Sequence, residues 1–244
     1  MIAEILQRLP GLSVLVVGDI CLDRWCTYDP SEADPSRETG IPRVAVISTT
    51  VTPGAGGTIA NNLVAMSVGR VAVLGAVGDD GFGYELRCSL AARGIATDQL
   101  ITISRAQTFT YTKLINAASG EEDLPRVDFI TTTPLDSQAE RQILDKLQTT
   151  FDAFDVILIS DQAETSRGGV VTPALRDLLA DLAPNYPDKI FMADSRTRAG
   201  EFRKVILKPN RQEAETACRK IPSGFPSKDP RARVLAHFCR TESP

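Results

Sequence analysis

The sequence predicts an α/β fold in which a mostly parallel sheet is covered by helices on both faces. Five short runs rich in Val, Ile and Leu have the composition of strands buried on both faces. They are VLVVGD, VAVLGAVGDD, DVILIS, KIFMADSR and VILKPN. Segments with helical patterns alternate with these runs, as in α/β proteins. The chain has 244 residues, of which 43 % are hydrophobic and 24 % charged, so it can build the core of one large domain or two small ones.

The predicted helices lie between the buried strands. Residues 137–151 repeat an apolar residue every four positions, which indicates a helix with one buried stripe. Gly69 and Gly94 are typical of helix C-termini, and Pro173 suits the first turn of a helix. The predicted helices cover residues 1–9, 54–69 after a glycine turn, 83–93, 137–151, 172–182 and 212–220.

Two alternating, threonine-rich segments do not fit a parallel sheet buried on both faces. The first, from Val44, predicts an exposed antiparallel strand that stops at Pro53. The second contains TFTYTKLIN (108–116) and PRVDFI (125–130), whose alternation on either side of the turn SGEED predicts a hairpin. We expect these segments to form a small separate sheet, a lid or a dimer surface.

The composition excludes several classes of protein. The 27 basic and 31 acidic side chains give a net charge of -4, so nothing global favours a nucleic-acid partner. No apolar run approaches the roughly 20 residues that span a bilayer, and the start MIAEILQRLPGLS lacks the pattern of a secretion signal. We therefore expect a cytoplasmic protein with no membrane partner.

Cysteine and histidine usage narrows the chemistry further. The five cysteines are odd in number, widely spaced and without a CxxC pair, which favours reduced thiols over zinc or disulfides. His237 is the single histidine of the sequence. Triad hydrolases and histidine-rich metal enzymes are therefore set aside, and we expect a carboxylate to do any acid–base work.

Most of the predicted buried strands end in a polar residue. In an open parallel sheet, ligands bind beyond the carboxyl ends of the strands. These ends together predict a site for a hydroxylated small molecule, although the same residue types also cap helices and form turns. The polar ends are Asp19, Asp79, Asp161, Asp194 and Asn210.

The glycine turn GAGGTIA (54–60) has two readings. It resembles a dinucleotide fingerprint, with Asp79 near the spacing of a ribose-binding acid. However, it does not follow the first buried strand, and no GxxxxGK[ST] phosphate loop occurs in the sequence. The alternative is that bare backbone at Gly56 and Gly57 lets a ligand approach, while Asn61, one helical turn further on, offers its amide to a hydroxyl.

Nine short motifs match one family in order and in spacing across residues 12–220. The sequence resembles the ribokinase-like (PfkB) sugar kinases, and most closely their heptose-7-phosphate kinase branch. The motifs are GDICLDRW, SRETGIPRV, GAGGTIANN, VGDDGFG, TYTKL, PRVDF, ISDQA, ADSR and LKPNRQEAE.

The resemblance implies a ribokinase-like three-layer α/β/α sandwich with a mostly parallel sheet and a small β-lid. The kinase domain would cover 1–220, with lid segments at about 20–53 and 106–132, and 221–244 would be a divergent proline-rich tail. The implied reaction is transfer of the γ-phosphoryl group of ATP to a hydroxyl of a sugar or sugar phosphate, with Mg²⁺. A homodimer through the lid is a further implication.

The resemblance also implies roles for individual residues. The sugar would be held by Asp23, Gly56, Gly57, Asn61 and Asp161, and an anionic substrate such as a sugar phosphate would suit the lid cations Lys113 and Arg126. On the phosphate side would lie Asp194, Asn210 and Glu213, with Glu213 reaching Mg²⁺ through water. Such parts suit phosphoryl transfer, which depends on positioning and charge neutralisation. The alternatives stay open that Lys113 and Arg126 are solvated strand charges and that Glu213 only favours the helix dipole.

The sequence departs from the family after the NxxE motif. The family's GAGD-type segment, which supplies the general base, does not occur among these residues, so no catalytic base is assigned. Loss of a general base typically costs ~10²–10⁴-fold in rate. We therefore expect a C-terminally truncated and inactive chain. A fragment completed by another chain and a non-catalytic sugar-phosphate-binding protein or subunit are the alternatives.

Overall fold

The computed structural model of the protein describes residues 2–163, 165 and 167–219, which form eleven strands and six α-helices. The strands are β1 (Ser13–Gly18), β2 (Ile20–Tyr28), β3 (Val46–Ala55), β4 (Arg70–Leu74), β5 (Ala76–Gly78), β6 (Ile101–Ile103), β7 (Thr110–Asn116), β8 (Val127–Phe129), β9 (Val156–Asp161), β10 (Ile190–Ser195) and β11 (Ile206–Leu207). The helices are α1 (Ile2–Arg8), α2 (Gly56–Ala65), α3 (Gly81–Ala91), α4 (Ser137–Thr150), α5 (Pro173–Asn185) and α6 (Arg211–Arg219).

The main sheet contains one strand from each of the five predicted buried runs. Its order is β11-β10-β9-β1-β4, and every neighbouring pair is parallel. The predicted α/β fold with a mostly parallel sheet is therefore confirmed. Because all five strands point the same way, their carboxyl ends share one edge of the sheet, where ligands bind in such folds.

Two hydrophobic cores lie on opposite faces of the main sheet. Leu15 and Val17 of β1 pack with α4 and α5, whereas Val14 and Val16 pack with α2 and α3. The alternation follows from the strand geometry, since successive side chains point to opposite faces. The result is three layers, helix–sheet–helix, as the sequence predicts.

The run VAVLGAVGDD is split between two sheets, which corrects one expectation. Its first half is β4 of the main sheet, and its second half is β5, which pairs with β6 in a separate two-stranded sheet. At the break, a Cβ on Gly75 would lie 2.5 Å from the carbonyl oxygen of Gly18 and 2.9 Å from Ile20 Cγ1. Asp79 therefore follows β5 and does not end a strand of the main sheet.

The threonine-rich segments join β2 in a second sheet of order β3-β2-β7-β8, which we call the lid sheet. The predicted hairpin is confirmed, since β7 and β8 are antiparallel with Thr110 opposite Phe129. The predicted end of the strand at Pro53 is wrong, because β3 continues to Ala55. β3 is an edge strand, where proline is tolerated.

The tail predicted over 221–244, with His237, lies outside the described residues, so that domain boundary stays a prediction. Within the described part, no helix has the length and apolar character needed to cross a membrane.

Candidate functional site

One face of the lid sheet gathers charged and aromatic side chains from three strands. Asp23 and Trp25 of β2 pair with Tyr111 and Lys113 of β7, and Tyr111 in turn pairs with Asp128 of β8. Paired residues of neighbouring strands project to the same side of a sheet. We call this surface the lid face, and it comprises Asp23, Trp25, Tyr111, Lys113, Arg126 and Asp128.

The two cations of the lid face are each held against an aromatic ring. Lys113 Nζ lies 4.0 Å from the ring centroid of Trp25, and the Arg126 guanidinium carbon lies 5.0 Å from that of Tyr111. Arg126 Nε and Nη2 also donate to Asp128 at 3.0 and 2.7 Å. Such contacts fix long, flexible side chains before a ligand arrives, which lowers the entropy lost on binding.

The opposite face of the lid sheet packs against the protein. Ile20 and Leu22 belong to the core shared with α2 and α3. Arg24 lies over the ring of Phe82 at 4.8 Å and pairs with Glu85 at 3.6 Å. The lid face is therefore turned away from α3, which leaves it available to a ligand.

Asp23 lies half-buried among the charges of the lid face. Burial raises the pKa of its carboxyl group, Lys113 and Arg126 act to lower it, and Asp128 raises it further. A Cβ on Gly54 would lie 2.7 Å from the Asp23 carboxyl carbon and from both of its oxygens. Because Gly54 has no side chain, the Asp23 carboxylate can occupy this space. There the carboxylate can accept hydrogen bonds from hydroxyl groups.

The predicted glycines begin α2 and are tightly packed. A Cβ on Gly56 would meet Ile20 Cδ1 at 2.7 Å, and one on Gly57 would meet Pro53 Cβ at 2.6 Å. Both glycines thus have a packing reason to be small, whatever binds nearby. Asn61 lies half-buried on α2, which packs beside β2 and β3 of the lid sheet. The structure brings Asp23, Lys113 and Arg126 together on the lid face and places Asn61 on a neighbouring element.

Asp161 is buried at the end of β9 with partners on both carboxylate oxygens. Ser195 Oγ donates to it at 2.6 Å, Arg198 Nε donates at 3.1 Å, and Arg198 Nη2 donates to the other oxygen. This ion pair balances the buried charge of Asp161. Its predicted contact with a sugar stays a prediction.

The other polar strand ends have local partners. Asp194 pairs with Lys208 Nζ at 3.2 Å. Asn210 and Glu213 form a reciprocal capping box at the start of α6: Glu213 Oε2 accepts the Asn210 N–H at 2.8 Å, and Asn210 Oδ1 accepts the Glu213 N–H at 2.9 Å. The NxxE motif therefore has a structural role as a helix cap. The only structural role predicted from the sequence was a favourable contact of Glu213 with the helix dipole.

The acidic residues fit a hydrated magnesium ion that contacts few carboxylates. Within residues 2–163, 165 and 167–219, no group of three or more His, Cys, Asp and Glu side chains could hold a metal ion. Glu213 Oε1 is not part of the capping box. Mg²⁺ keeps several waters and contacts few carboxylates, so a water-mediated contact to Glu213 is compatible with this geometry.

A cavity of about 460 Å³ lies at the base of the lid face, and we call it the base cavity. Phe109 and Ile130, two residues from Tyr111 and Asp128 along the lid strands, form part of its wall. They were not predicted from the sequence, because an apolar residue in an alternating strand is normally interpreted as a core residue. Other lining residues are Asp19, Ile20, Val77, Gly169 and Val170, with Thr131, Thr132 and Thr133 at one side.

A second cavity of about 780 Å³ lies beside the base cavity. It is lined by the arginines Arg167, Arg176 and Arg198 and by two acids, Glu140 and Glu201. Arg176 pairs with Glu201 at 2.7 Å, and Arg198 is held by Asp161. The charges of this cavity are therefore largely balanced within the protein.

Comparison with known proteins places the fold and the motifs in context. The model of the pfkB family of carbohydrate kinases matches residues 12–223. The chain is 29 % identical over 230 residues to the bifunctional protein HldE of Trichlorobacter lovleyi, covering 94 % of this chain and 44 % of that protein. HldE of Pelobacter propionicus is 31 % identical over 221 residues, covering 88 % and 42 %. The chain thus spans less than half the length of these curated relatives.

Solved structures share the fold at lower identity. Phosphofructokinase-2 from Escherichia coli in complex with fructose-6-phosphate has a TM-score of 0.61 at 16 % identity, covering 92 % of this chain and 69 % of that chain. Ribokinase from Thermotoga maritima has a TM-score of 0.59 at 17 % identity, covering 93 % and 69 %. The ribokinase-like three-layer architecture predicted from the motifs is confirmed.

Proposed function

Because the chain belongs to the pfkB family of carbohydrate kinases, we propose that it forms the sugar-binding and lid part of an ATP-dependent kinase that acts on a sugar phosphate. The acceptor would be a hydroxyl of a heptose-7-phosphate-like sugar, in line with the resemblance of the motifs. One observation carries the proposal: the lid face sets a half-buried carboxylate beside two cations that are already fixed on aromatic rings.

The two halves of a sugar phosphate match the two kinds of group on the lid face. Sugar hydroxyls would donate to the Asp23 carboxylate, and the phosphate would be bound by Lys113 and Arg126 in charge-assisted hydrogen bonds. The base cavity adds an apolar wall, with Phe109 and Ile130, that suits the carbon face of a sugar. Gly56, Gly57, Asn61 and Asp161 are proposed as further contacts at the edge of the main sheet.

We propose that ATP binds at the carboxyl ends of β10 and β11. ATP would supply the transferred phosphoryl group, and Mg²⁺ would neutralise the charge that develops on it. Asp194, Asn210 and Glu213 would contact the phosphates, Glu213 through water on the metal. The Asn210–Glu213 capping box supports this placement, because it fixes the direction of the Glu213 carboxylate.

A second copy of this chain is the proposed partner of the lid. β3 is an edge strand, and four apolar side chains on and before it are exposed: Ile41, Val44, Val46 and Ile47. An exposed edge strand with apolar side chains can pair with another chain. A dimer through the lid would cover this edge.

Calorimetry with a heptose 7-phosphate and with ATP, followed by an ADP-release assay, tests the proposed function. We expect the chain to bind the sugar phosphate, and Lys113→Ala to weaken that binding at least tenfold, whereas Lys146→Ala on α4 leaves it unchanged. Release of ADP on addition of Mg²⁺ and ATP supports the kinase. Binding of sugar phosphate without ATP binding favours a non-catalytic sugar-phosphate-binding protein or subunit. A wild-type chain that binds no sugar phosphate overturns both.

A further inference from the structure

Asp19 joins several segments at the carboxyl edge of the main sheet. It directly follows β1 and is only 2 % exposed. Its backbone N–H donates to the carbonyl of Ser160 in β9, and its own carbonyl accepts the N–H of Gly56, both at 2.9 Å. The Asp19 peptide therefore ties the glycine turn before α2 to the ends of two central strands.

The Asp19 carboxylate holds both ends of the stretch that follows β9. One oxygen, Oδ2, accepts the backbone N–H of Gln162 at 2.8 Å and that of Ala163 at 2.7 Å. The other, Oδ1, accepts the N–H of Val170 at 2.8 Å. Removing this side chain would leave three backbone donors near the core without an acceptor, which is costly when they are buried.

Gly169 shows how closely the returning chain passes Asp19. Its φ of +101° lies in the region that favours glycine. A Cβ there would lie 2.7 Å from Ala163 Cβ and 3.1 Å from Asp19 Oδ1. The close approach that brings the Val170 N–H onto the carboxylate therefore requires glycine at 169.

These contacts connect two parts of the proposed sugar site. Gly169 and Val170 line the base cavity together with Asp19, while Gly56 lies in the glycine turn and begins α2. The Asp19 oxygens are occupied by backbone donors, so the residue acts on a ligand through the segments it holds. Small displacements of such segments can cost on the order of 10²-fold in a site that depends on geometry.

We propose that Asp19 is a positioning residue of the sugar site, which fixes the base-cavity wall at Gly169 and Val170 relative to the glycine turn at Gly56. The inference rests on the proposed function, because the property that it controls is sugar-phosphate affinity. It assigns no direct ligand contact to Asp19. The proposed role differs from the sequence expectation, in which Asp19 was one of several polar strand ends facing a ligand.

Three variants of the full chain test the proposal. Asp19→Asn keeps the size of the side chain but replaces an acceptor oxygen with a donor that opposes the backbone N–H groups. Gly169→Ala keeps the carboxylate but displaces the chain beside it. Gly94→Ala is the matched control, because Gly94 also has a positive φ, +75°, while a Cβ there would meet nothing within 4 Å.

Two readouts separate positioning from loss of stability. The first is the dissociation constant for a heptose 7-phosphate, measured by calorimetry well below the melting temperature of each variant. The second is the rate of trypsin cleavage after Arg167, an exposed residue between the two ends that Asp19 holds. We expect Gly169→Ala and Asp19→Asn to raise the cleavage rate and to weaken binding at least tenfold, and Gly94→Ala to lower only the melting temperature.

The outcomes distinguish this inference from the proposed function. If Gly169→Ala matches Gly94→Ala in both affinity and cleavage, the inference is overturned even where Asp19→Asn fails to fold. If the wild-type chain binds no sugar phosphate, the proposed function fails, and the positioning of a sugar site fails with it. Wild-type binding combined with unchanged affinity in the variants overturns the inference alone.

Discussion

Lys113 Nζ sits 4.0 Å from the centre of the Trp25 indole, and the β2–β7 register makes the two residues direct cross-strand neighbours. Trp25 is 38 % exposed although it is large and apolar. A cation held on an exposed indole contributes about 0.5–1 kcal/mol. The pair therefore explains an exposed tryptophan as a support for a charge on the lid face.

The first prediction concerns that support. Trp25→Leu should weaken heptose 7-phosphate binding by about twofold to fivefold, because each 1.4 kcal/mol corresponds to tenfold in affinity and the contact is worth less than that. The free energy of unfolding should change little, since the side chain is partly exposed. Calorimetry is the measurement, and Trp25→Phe, which retains an aromatic face, should lose less. Equal affinities for the wild type, Trp25→Leu and Trp25→Phe would contradict the prediction.

The second prediction separates the two roles of Glu213. Glu213→Gln keeps an oxygen that can accept the Asn210 N–H, so the capping box and the melting temperature should survive, whereas Glu213→Ala should lose about 1 kcal/mol of stability. If the carboxylate also contacts hydrated Mg²⁺, Glu213→Gln should weaken Mg²⁺-dependent ATP binding as strongly as Glu213→Ala. Thermal unfolding and calorimetry with and without Mg²⁺ measure the two effects. If Glu213→Gln binds ATP and Mg²⁺ as tightly as the wild type does, Glu213 has only its structural role in the capping box.

The third prediction is a pH dependence of stability that arises from Asp19. Burial raises the pKa of this carboxyl group from 3.8 to about 6, although three backbone N–H groups lower it and Asp161 raises it further. The folded state thus binds the proton more tightly than the unfolded state does. Protonated Asp19 therefore adds to the free energy of unfolding. This stabilisation is fully present below pH 3.8 and is lost as the pH rises through about 6, a decrease of roughly 3 kcal/mol.

Urea unfolding between pH 4 and pH 7 measures this dependence. Other carboxyl groups act in the opposite sense: hydrogen bonds from Ser13 lower the pKa of Asp155, so its contribution is lost as the pH falls. The difference between the wild type and Asp19→Asn removes such shared contributions. We expect that difference to change across pH 4–6, and a constant difference would show that Asp19 does not titrate there.

The sequence predicted the main sheet well because composition alone marks a strand buried on both faces. It failed at Gly75, where the run continues unbroken in sequence but leaves the main sheet. The chain passes so close to Gly18 there that a Cβ on Gly75 would lie 2.5 Å from the Gly18 carbonyl oxygen. The sequence also did not reveal what holds Asp19 and Asp161 within the protein, although the predicted sugar contact of Asp161 stays a prediction. Their actual partners, Val170 and Arg198, are 151 and 37 residues away in the chain, and a residue's type does not reveal such distant partners.

The fourth prediction concerns the edge of the lid sheet. Ile47 is 59 % exposed on β3, and a buried aspartate is costly at an apolar interface. Ile47→Asp should therefore raise the dimer dissociation constant at least tenfold in light scattering after size exclusion. Ile5→Asp on α1, an equally exposed isoleucine at 57 %, is the control and should leave the dimer intact. A monomeric wild type, or equal behaviour of the two variants, would refute the lid dimer.

The fifth prediction uses the space that Gly54 leaves for Asp23. In Gly54→Ala the new methyl group would lie 2.7 Å from the carboxyl carbon and both oxygens of Asp23, so the carboxylate must move. Gly81→Ala, where a Cβ meets nothing within 4 Å, is the control. A carboxylate displaced from a sugar hydroxyl loses a charged hydrogen bond, worth about 1.5–3 kcal/mol. Calorimetry should therefore show heptose 7-phosphate binding weakened by about tenfold or more in Gly54→Ala and unchanged in Gly81→Ala. Retained affinity in Gly54→Ala would remove Asp23 from the sugar site.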